Sequence, residues 1–328
     1  QQVARAREMG SYQLGELLGR GGMGEVYKAS HRMLARPAAI KLIRPEIASA
    51  RTGERGRMVV KRFHREAEAA ATLRSPHTVE LYDFGETEDG TLYFAMELLE
   101  GMDLEALIRQ KGPMPASRVI YLLRQVCESL EEAHARGMIH RDIKPANIHV
   151  GRVGLRDDFV KVLDFGLVTC VAGASDDRSL ATAVGQIHGT PAYMGAEMAT
   201  GQTADARSDL YAVGCVAYFM LTGRLVFEGG TPVQMLARRL SEEPVPPSQR
   251  TELAIPAELE RVVLACIARR PEDRPQSGTE LGRALAAVPV TPWTEEQAQE
   301  WWRFNRPSGQ PAVNPADVET RAADLTTL

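Results

Sequence analysis

The first hundred positions read as strands interrupted by one helix, and most of the remainder reads as helices. Tyr12–Gly19 is a strand that runs into a turn, and Glu25–Ala29 and Ala38–Lys41 are two more, with a glycine cluster between the first pair. Arg62–Leu73 then places Phe63, Ala67, Ala70 and Leu73 at spacings of three and four, one apolar face of a helix. Ahead of it, Ala48–Met58 reads as a mobile insertion. Thr91–Met96 is a further strand, leading into a short connector that ends at Gly101.

Between Pro115 and Arg136, Val119, Leu122, Leu123, Val126 and Leu130 fall at helical spacing, and Gly137 supplies the stop. Ser208–Gly223 is nearly all apolar but too short to cross a bilayer, so it reads as a buried central helix, with Asp209 at its start as cap and as acceptor for nearby loop backbone. Leu259–Ile267 and Gly278–Val288 are amphipathic helices. Thr294-Glu295-Glu296-Gln297 looks like a capping box that opens a short helix ending near Phe304. All three tryptophans, Trp293, Trp301 and Trp302, lie here. Exposing so much aromatic surface is unfavourable, so this helix is expected to dock on the back of the helical part. From Arg306 onward the composition reads as a disordered tail.

At 328 residues the chain is long enough for two lobes, and 44% hydrophobic with 25% charged residues describes an ordinary soluble protein. A net charge of −4 gives no reason to expect nucleic acid or an anionic membrane as partner. Cys127, Cys170, Cys215 and Cys266 are far apart with no CxxC pair, so they read as reduced thiols and point to a cytoplasmic location. No membrane segment is found. An anchor outside these residues stays open because the first residue is Gln.

The chemistry concentrates in residues 140–166. His140-Arg141-Asp142-Ile143-Lys144-Pro145-Ala146-Asn147 is followed, seventeen residues after its Asn, by Asp164-Phe165-Gly166. One carboxylate to accept a hydroxyl proton, one ammonium to neutralise a phosphoryl oxygen, and an amide with a second carboxylate to hold Mg²⁺ are what phosphoryl transfer needs. Upstream, Gly19-Arg20-Gly21-Gly22-Met23-Gly24-Glu25-Val26 fits G-x-G-x-x-G-x-V. Such glycines let backbone N–H groups approach phosphates closely and adopt positive φ. A dinucleotide fingerprint would need a helix after them, and here a strand follows. Lys41 ends an apolar strand, where an ammonium is costly unless it meets an anion.

Over residues 12–288 these motifs, in this order, resemble the protein kinase family, and their wording is similar to the eukaryotic-type Ser/Thr kinases of bacteria. The resemblance implies an α+β, bilobal kinase fold. Its β-rich N-lobe would span 12–97 and its helical C-lobe 102–288, after an extension at 1–11 and before a Trp-rich docking helix at 289–306 and a tail at 307–328. It implies ATP and Mg²⁺ as cofactors and protein Ser/Thr hydroxyls as substrates. Asp142 is then the base and Lys144 stabilises the transferring group. Asn147 and Asp164 hold the metal, and Lys41 contacts the α- and β-phosphates while pairing with Glu66. Leu18, Gly19, Gly21, Gly22, Gly24, Val26 and Ala39 would cover the nucleotide, with Met96 as gatekeeper. The Glu97–Leu99 backbone would meet adenine, and Asp103 the ribose.

Lys144 and Gly189-Thr190-Pro191 resemble Ser/Thr rather than tyrosine kinases. Residues 167–194 would be the activation segment, with Ser179 and Thr182 as sites of autophosphorylation, made in trans if copies self-associate, and Arg141 as receiver of the phosphate. Gly195-Ala196-Glu197 departs from the family's Ala/Ser-Pro-Glu, while Glu197 can still pair with Arg274. Two rival readings are a pseudokinase-like ATP-binding signalling module and a small-molecule phosphotransferase. The intact Lys41, Glu66, Asp142, Asn147 and Asp164 weigh against the first, and Arg141, Gly189-Thr190-Pro191 and the Glu197–Arg274 pair against the second.

Overall fold

The computed structural model describes residues 8–21, 24–34, 36–43, 54–87, 90–165, 191–199, 202–229 and 231–305. Gly22, Ser179, Thr182 and the tail expected at 307–328 lie outside them. The N-lobe is an antiparallel sheet of β1 (Glu8–Met9), β2 (Tyr12–Gly21), β3 (Gly24–His31), β4 (Pro37–Ile43), β5 (Leu81–Glu86) and β6 (Leu92–Glu97). The order across it is β1-β2-β3-β4-β6-β5. Central β4 is buried on both faces after its first residue. Ala38, Ile40 and Leu42 point into one apolar cluster with Tyr93 and Ala95. On the other face Ile43 packs with Phe63, Ala67, Leu92 and Phe94. The period of two puts Lys41 on the face of Ile43, toward helix α1 (Glu54–Ala71).

That helix begins at Glu54, so the insertion expected over Ala48–Met58 runs too far. Met58 is exposed, and the helix's first turns lack the apolar stripe that marks its later part in the sequence.

In the C-lobe, α2 (Leu104–Lys111), α3 (Ala116–Ala135), α5 (Ala206–Thr222), α7 (Ala257–Cys266) and α8 (Gly278–Ala286) share one core, while α6 (Pro232–Ser241) packs against the short α4 (Ala196–Ala199) beside it. Every residue of α5 from Ser208 to Thr222 is buried, as its unbroken apolar run requires. Its cap is Asp205, in a reciprocal box with Ser208, rather than the expected Asp209; Asp209 sits one turn in, and its carboxylate is used elsewhere. Burial pushes the Cys127 thiol up to about 12 and Cys215 to about 11, so both are inert core residues.

A second sheet of β7 (Gly101–Asp103), β8 (Ile148–Val153) and β9 (Arg156–Val162) lies where the lobes meet. Its last strand forms a parallel bridge from Val162 to Thr78 of the N-lobe. Helix α9 (Glu295–Asn305) carries two of the three tryptophans and packs with Trp302 buried. No helix among the described residues is long and apolar enough to cross a membrane.

Candidate active site

The loop carrying the predicted base is fixed from beneath by α5. Asp209 accepts the backbone N–H of His140 through Oδ2 and of Arg141 through Oδ1, each at 2.8 Å, and His134 Nε2 lies 2.8 Å from the same Oδ2. Arg141 is held at φ 65°, a left-handed conformation that costs energy outside glycine and persists only under such constraint. His140 is buried, with Nε2 2.7 Å from the Leu163 carbonyl and Nδ1 accepting from the Asp142 N–H at 3.3 Å. A carbonyl can only accept, so the network selects the neutral tautomer protonated on Nε2.

On this support the four residues singled out from the sequence converge. Lys144 Nζ donates to Asp142 Oδ2 at 2.7 Å, and Asn147 Nδ2 donates to the same oxygen at 3.0 Å and to the Asp142 carbonyl at 2.8 Å. The Leu163 N–H donates to the Asn147 carbonyl at 2.9 Å, which binds the loop to the end of β9. The next residue, Asp164, also has a left-handed φ, 63°. Its carboxylate receives Lys41 Nζ across the cleft. Burial pushes Asp164 upward, but the charge and hydrogen bond of Lys41 outweigh it and hold the carboxyl below the usual range.

Lys41 therefore meets Asp164, where the sequence reading gave it to Glu66. The physical reason is the depth of Asp164, whose charge needs a cation at contact distance. Glu66 is half-buried on α1 and has interactions of its own.

The glycines divide by purpose. A Cβ at Gly24 would collide with the Leu42 carbonyl, so this residue is glycine to let β3 approach β4. At Gly19 and Gly21 a Cβ would meet nothing within 4 Å, and none of the three has positive φ. Packing and φ thus leave Gly19 and Gly21 unexplained, and the open space above them fits a phosphate chain against the backbone. Of the remaining positions expected to cover a nucleotide, Leu18 is exposed, Val26 is half-buried opposite Lys41, and buried Ala39 pairs with buried Met96. Asn147 uses its amide nitrogen on Asp142, which leaves its oxygen, with the Asp164 carboxylate, as hard donors of the kind Mg²⁺ takes.

At the connector, the Glu97 N–H donates to the Glu80 carbonyl at 3.0 Å, while Leu99 makes no backbone hydrogen bond among the described residues. Asp103 caps α2, its Oδ1 accepting from the Ala106 N–H at 2.8 Å. Sequence reasoning missed Lys161, which lies 2.6 Å from Glu97 Oε1 and donates to the Thr78 carbonyl at 3.3 Å. Its place three residues before Asp164 was the available signal. At the far end Arg274 grips buried Glu197 by two parallel bonds of 2.8 and 2.7 Å, and Ser208 Oγ adds a third of 2.8 Å. A Cβ at Gly195 would run into the Glu197 carboxylate, so glycine in place of the family's Ala/Ser makes room for that grip.

Comparison with known proteins agrees with this geometry. The protein kinase domain family matches residues 12–284. The chain is 40% identical over 278 residues to the serine/threonine-protein kinase pkn3 of Myxococcus xanthus, covering 84% of this chain and 50% of that protein. It is 40% identical over 280 residues to the serine/threonine-protein kinase PknB of Mycobacterium tuberculosis, covering 84% of this chain and 42% of that one. The chain thus spans about half the length of these relatives or somewhat less. Its fold is similar to that of Rad53 1-466 in complex with AMP-PNP, with a TM-score of 0.66 and 24% identity over 84% of this chain and 64% of that one.

Proposed function

Because this chain belongs to the protein kinase domain family, we propose that it transfers the γ-phosphoryl group of ATP to serine and threonine hydroxyls of proteins. The observation that carries this reading is the cluster on Asp142, where one carboxylate oxygen receives both Lys144 and Asn147. Asp142 accepts the proton of the attacking hydroxyl, and Lys144 lies beside it to meet charge on the transferring group. Asn147 and Asp164 would hold Mg²⁺, which when bound neutralises charge on the phosphate oxygens. Lys41 would then turn from Asp164 to the α- and β-phosphates and to Glu66.

Leu18, Val26, Ala39 and Met96 would enclose adenine, the Glu97 carbonyl and Leu99 N–H would pair with its edge, and Asp103 would meet the ribose. Gly19, Gly21, Gly22 and Gly24 belong to the turn over the phosphates. Autophosphorylation at Ser179 or Thr182, in trans between copies, would switch the enzyme on, with Arg141 exposed to receive the phosphate. Matched peptides differing only in a Ser, Thr or Tyr acceptor test the substrate class. Transfer to Ser and Thr but not Tyr is expected, and preferential transfer to Tyr would refute it.

A further inference from the structure

The segment after the family match closes over a buried carboxylate. Asp158 is wholly buried in β9 at φ 53°. Four N–H groups converge on it in two matched pairs. Oδ1 accepts from Arg118 Nη2 and Trp302 Nε1, each at 2.7 Å. Oδ2 accepts from Arg118 Nε at 2.9 Å and Trp293 Nε1 at 2.8 Å. Trp301 lies against the same guanidinium, 3.8 Å from its ring centroid. Arg118 balances the charge, and the two indoles fill the remaining lone pairs without adding charge, as a carboxylate this deep requires.

From Asp158 to Asp164 nearly every residue is fastened. Gln125 brackets the start, donating to the Asp158 carbonyl at 2.9 Å and accepting from the Val160 N–H at 3.0 Å. Phe159 packs on His77 at a ring separation of 4.6 Å. Lys161 clasps Glu97 of the connector, Val162 exchanges backbone bonds of 2.8 and 3.0 Å with His77 and Val79, and Leu163 joins Asn147 and His140. The tryptophan segment therefore holds one end of a strand whose middle grips the connector and whose other end delivers Asp164.

We propose that Asp158 is a positioning residue for the nucleotide site, and that residues 289–305 complete the catalytic domain by fixing it through the indole N–H groups of Trp293 and Trp302. Loss of those donors leaves two acceptor sites of a buried carboxylate unfilled, and β9 shifts to find others. The strand's grip on Glu97 and its delivery of Asp164 shift with it. The proposal rests on the reading that Glu97–Leu99 and Asp164 face ATP.

The test is Trp302→Phe, alone and with Trp293→Phe, which removes the N–H groups and keeps aromatic packing. The expected result is folded protein whose KM for ATP rises about fivefold or more, in the range of ordinary coupling between sites, with the KM for peptide unchanged. Lys161→Met combined with Trp302→Phe should raise it by less than the product of the single effects, because both act through the same strand. Should the phenylalanine variants fail to fold, the wild type suffices. All three tryptophans lie in residues 293–302, so tryptophan emission excited beyond the tyrosine absorption band reports this segment alone. Coupling is reciprocal, so titration with Mg²⁺ and ADP should shift that emission saturably. Unchanged KM for ATP in a folded variant, or unmoved emission in wild type that binds nucleotide, overturns the positioning role and leaves the kinase reading standing. Wild type that binds no nucleotide overturns the reading of the nucleotide site, and the proposal with it.

Discussion

Lys41 of the N-lobe and Asp164 of the C-lobe form an ion pair across the cleft, both largely buried. The pair joins a central strand of one sheet to the second residue after the last strand of the other. Lys41→Met is expected to lower phosphotransfer by about 10²-fold or more, as for loss of a charge aimed at a transition state. It also changes the pH dependence of stability. Asp164 has a depressed pKa in the folded chain, so in wild type its contribution is present above about pH 4 and is lost as pH falls through the folded value. Without Lys41, burial pushes the carboxyl up and only the smaller influence of nearby His140 and Lys144 opposes it. The stability gap between wild type and variant should be widest near neutral pH and narrow below about pH 4. Urea denaturation across that range measures it.

Arg274→Met removes the partner of a buried carboxylate. Burial pushes Glu197 up, and the bonds and charge of Arg274, with help from its own backbone N–H and from Ser208, hold it below the usual range. The variant is expected to lose about 3–5 kcal/mol of stability. Glu197→Gln in the same background should recover part of that loss, because it removes the unpaired charge. Chemical denaturation of both variants checks this.

Asp209→Ala leaves the N–H groups of His140 and Arg141 without their acceptor and frees Arg141 from its left-handed conformation. About 1–3 kcal/mol of stability is expected to go with each unmade bond. The loop that carries Asp142 should move, and a displacement of that kind costs about 10²-fold in kcat. Steady-state kinetics beside circular dichroism separates the catalytic loss from unfolding.

Wild-type protein incubated with Mg²⁺ and ATP should acquire phosphate on Ser179 or Thr182, read by mass spectrometry, and Asp142→Asn should not. Phosphate found only elsewhere would refute the proposed switch.

The sequence made the cluster on Asp142 legible because the loop is short. Asp142, Lys144 and Asn147 are fixed in one turn, so their spacing nearly dictates their contact. Strands β2, β3, β4 and β6 are legible in the sequence, β4 as an apolar run because both its faces are buried, whereas β1 and β5 are not. Pairings between distant residues were harder. Lys41 could be assigned an anion, but whether Glu66 or Asp164 supplies it depends on how the lobes close. Asp209 is legible as an acceptor for loop backbone, but its place one turn inside a helix capped by Asp205 is not. The three tryptophans announce a helix docked on the helical part, but not the carboxylate that its indoles meet there. Asp158 stands in a polar run, and its burial is decided by Arg118, forty residues before it, and by Trp293 and Trp302, 135 and 144 residues after it. No local pattern encodes that meeting. Gly19 and Gly21 show the opposite error, since the sequence suggests positive φ there and the described backbone has none.

The most direct measurement is phosphoryl transfer by purified wild type and Asp142→Asn from labelled ATP, with Mg²⁺, to a protein acceptor. Transfer by the wild type onto Ser or Thr, falling by about 10²–10⁴-fold in Asp142→Asn while nucleotide still binds, is the expected result. Undiminished transfer in Asp142→Asn, or none by a wild type that binds nucleotide and Mg²⁺, would contradict a protein kinase with Asp142 as its base.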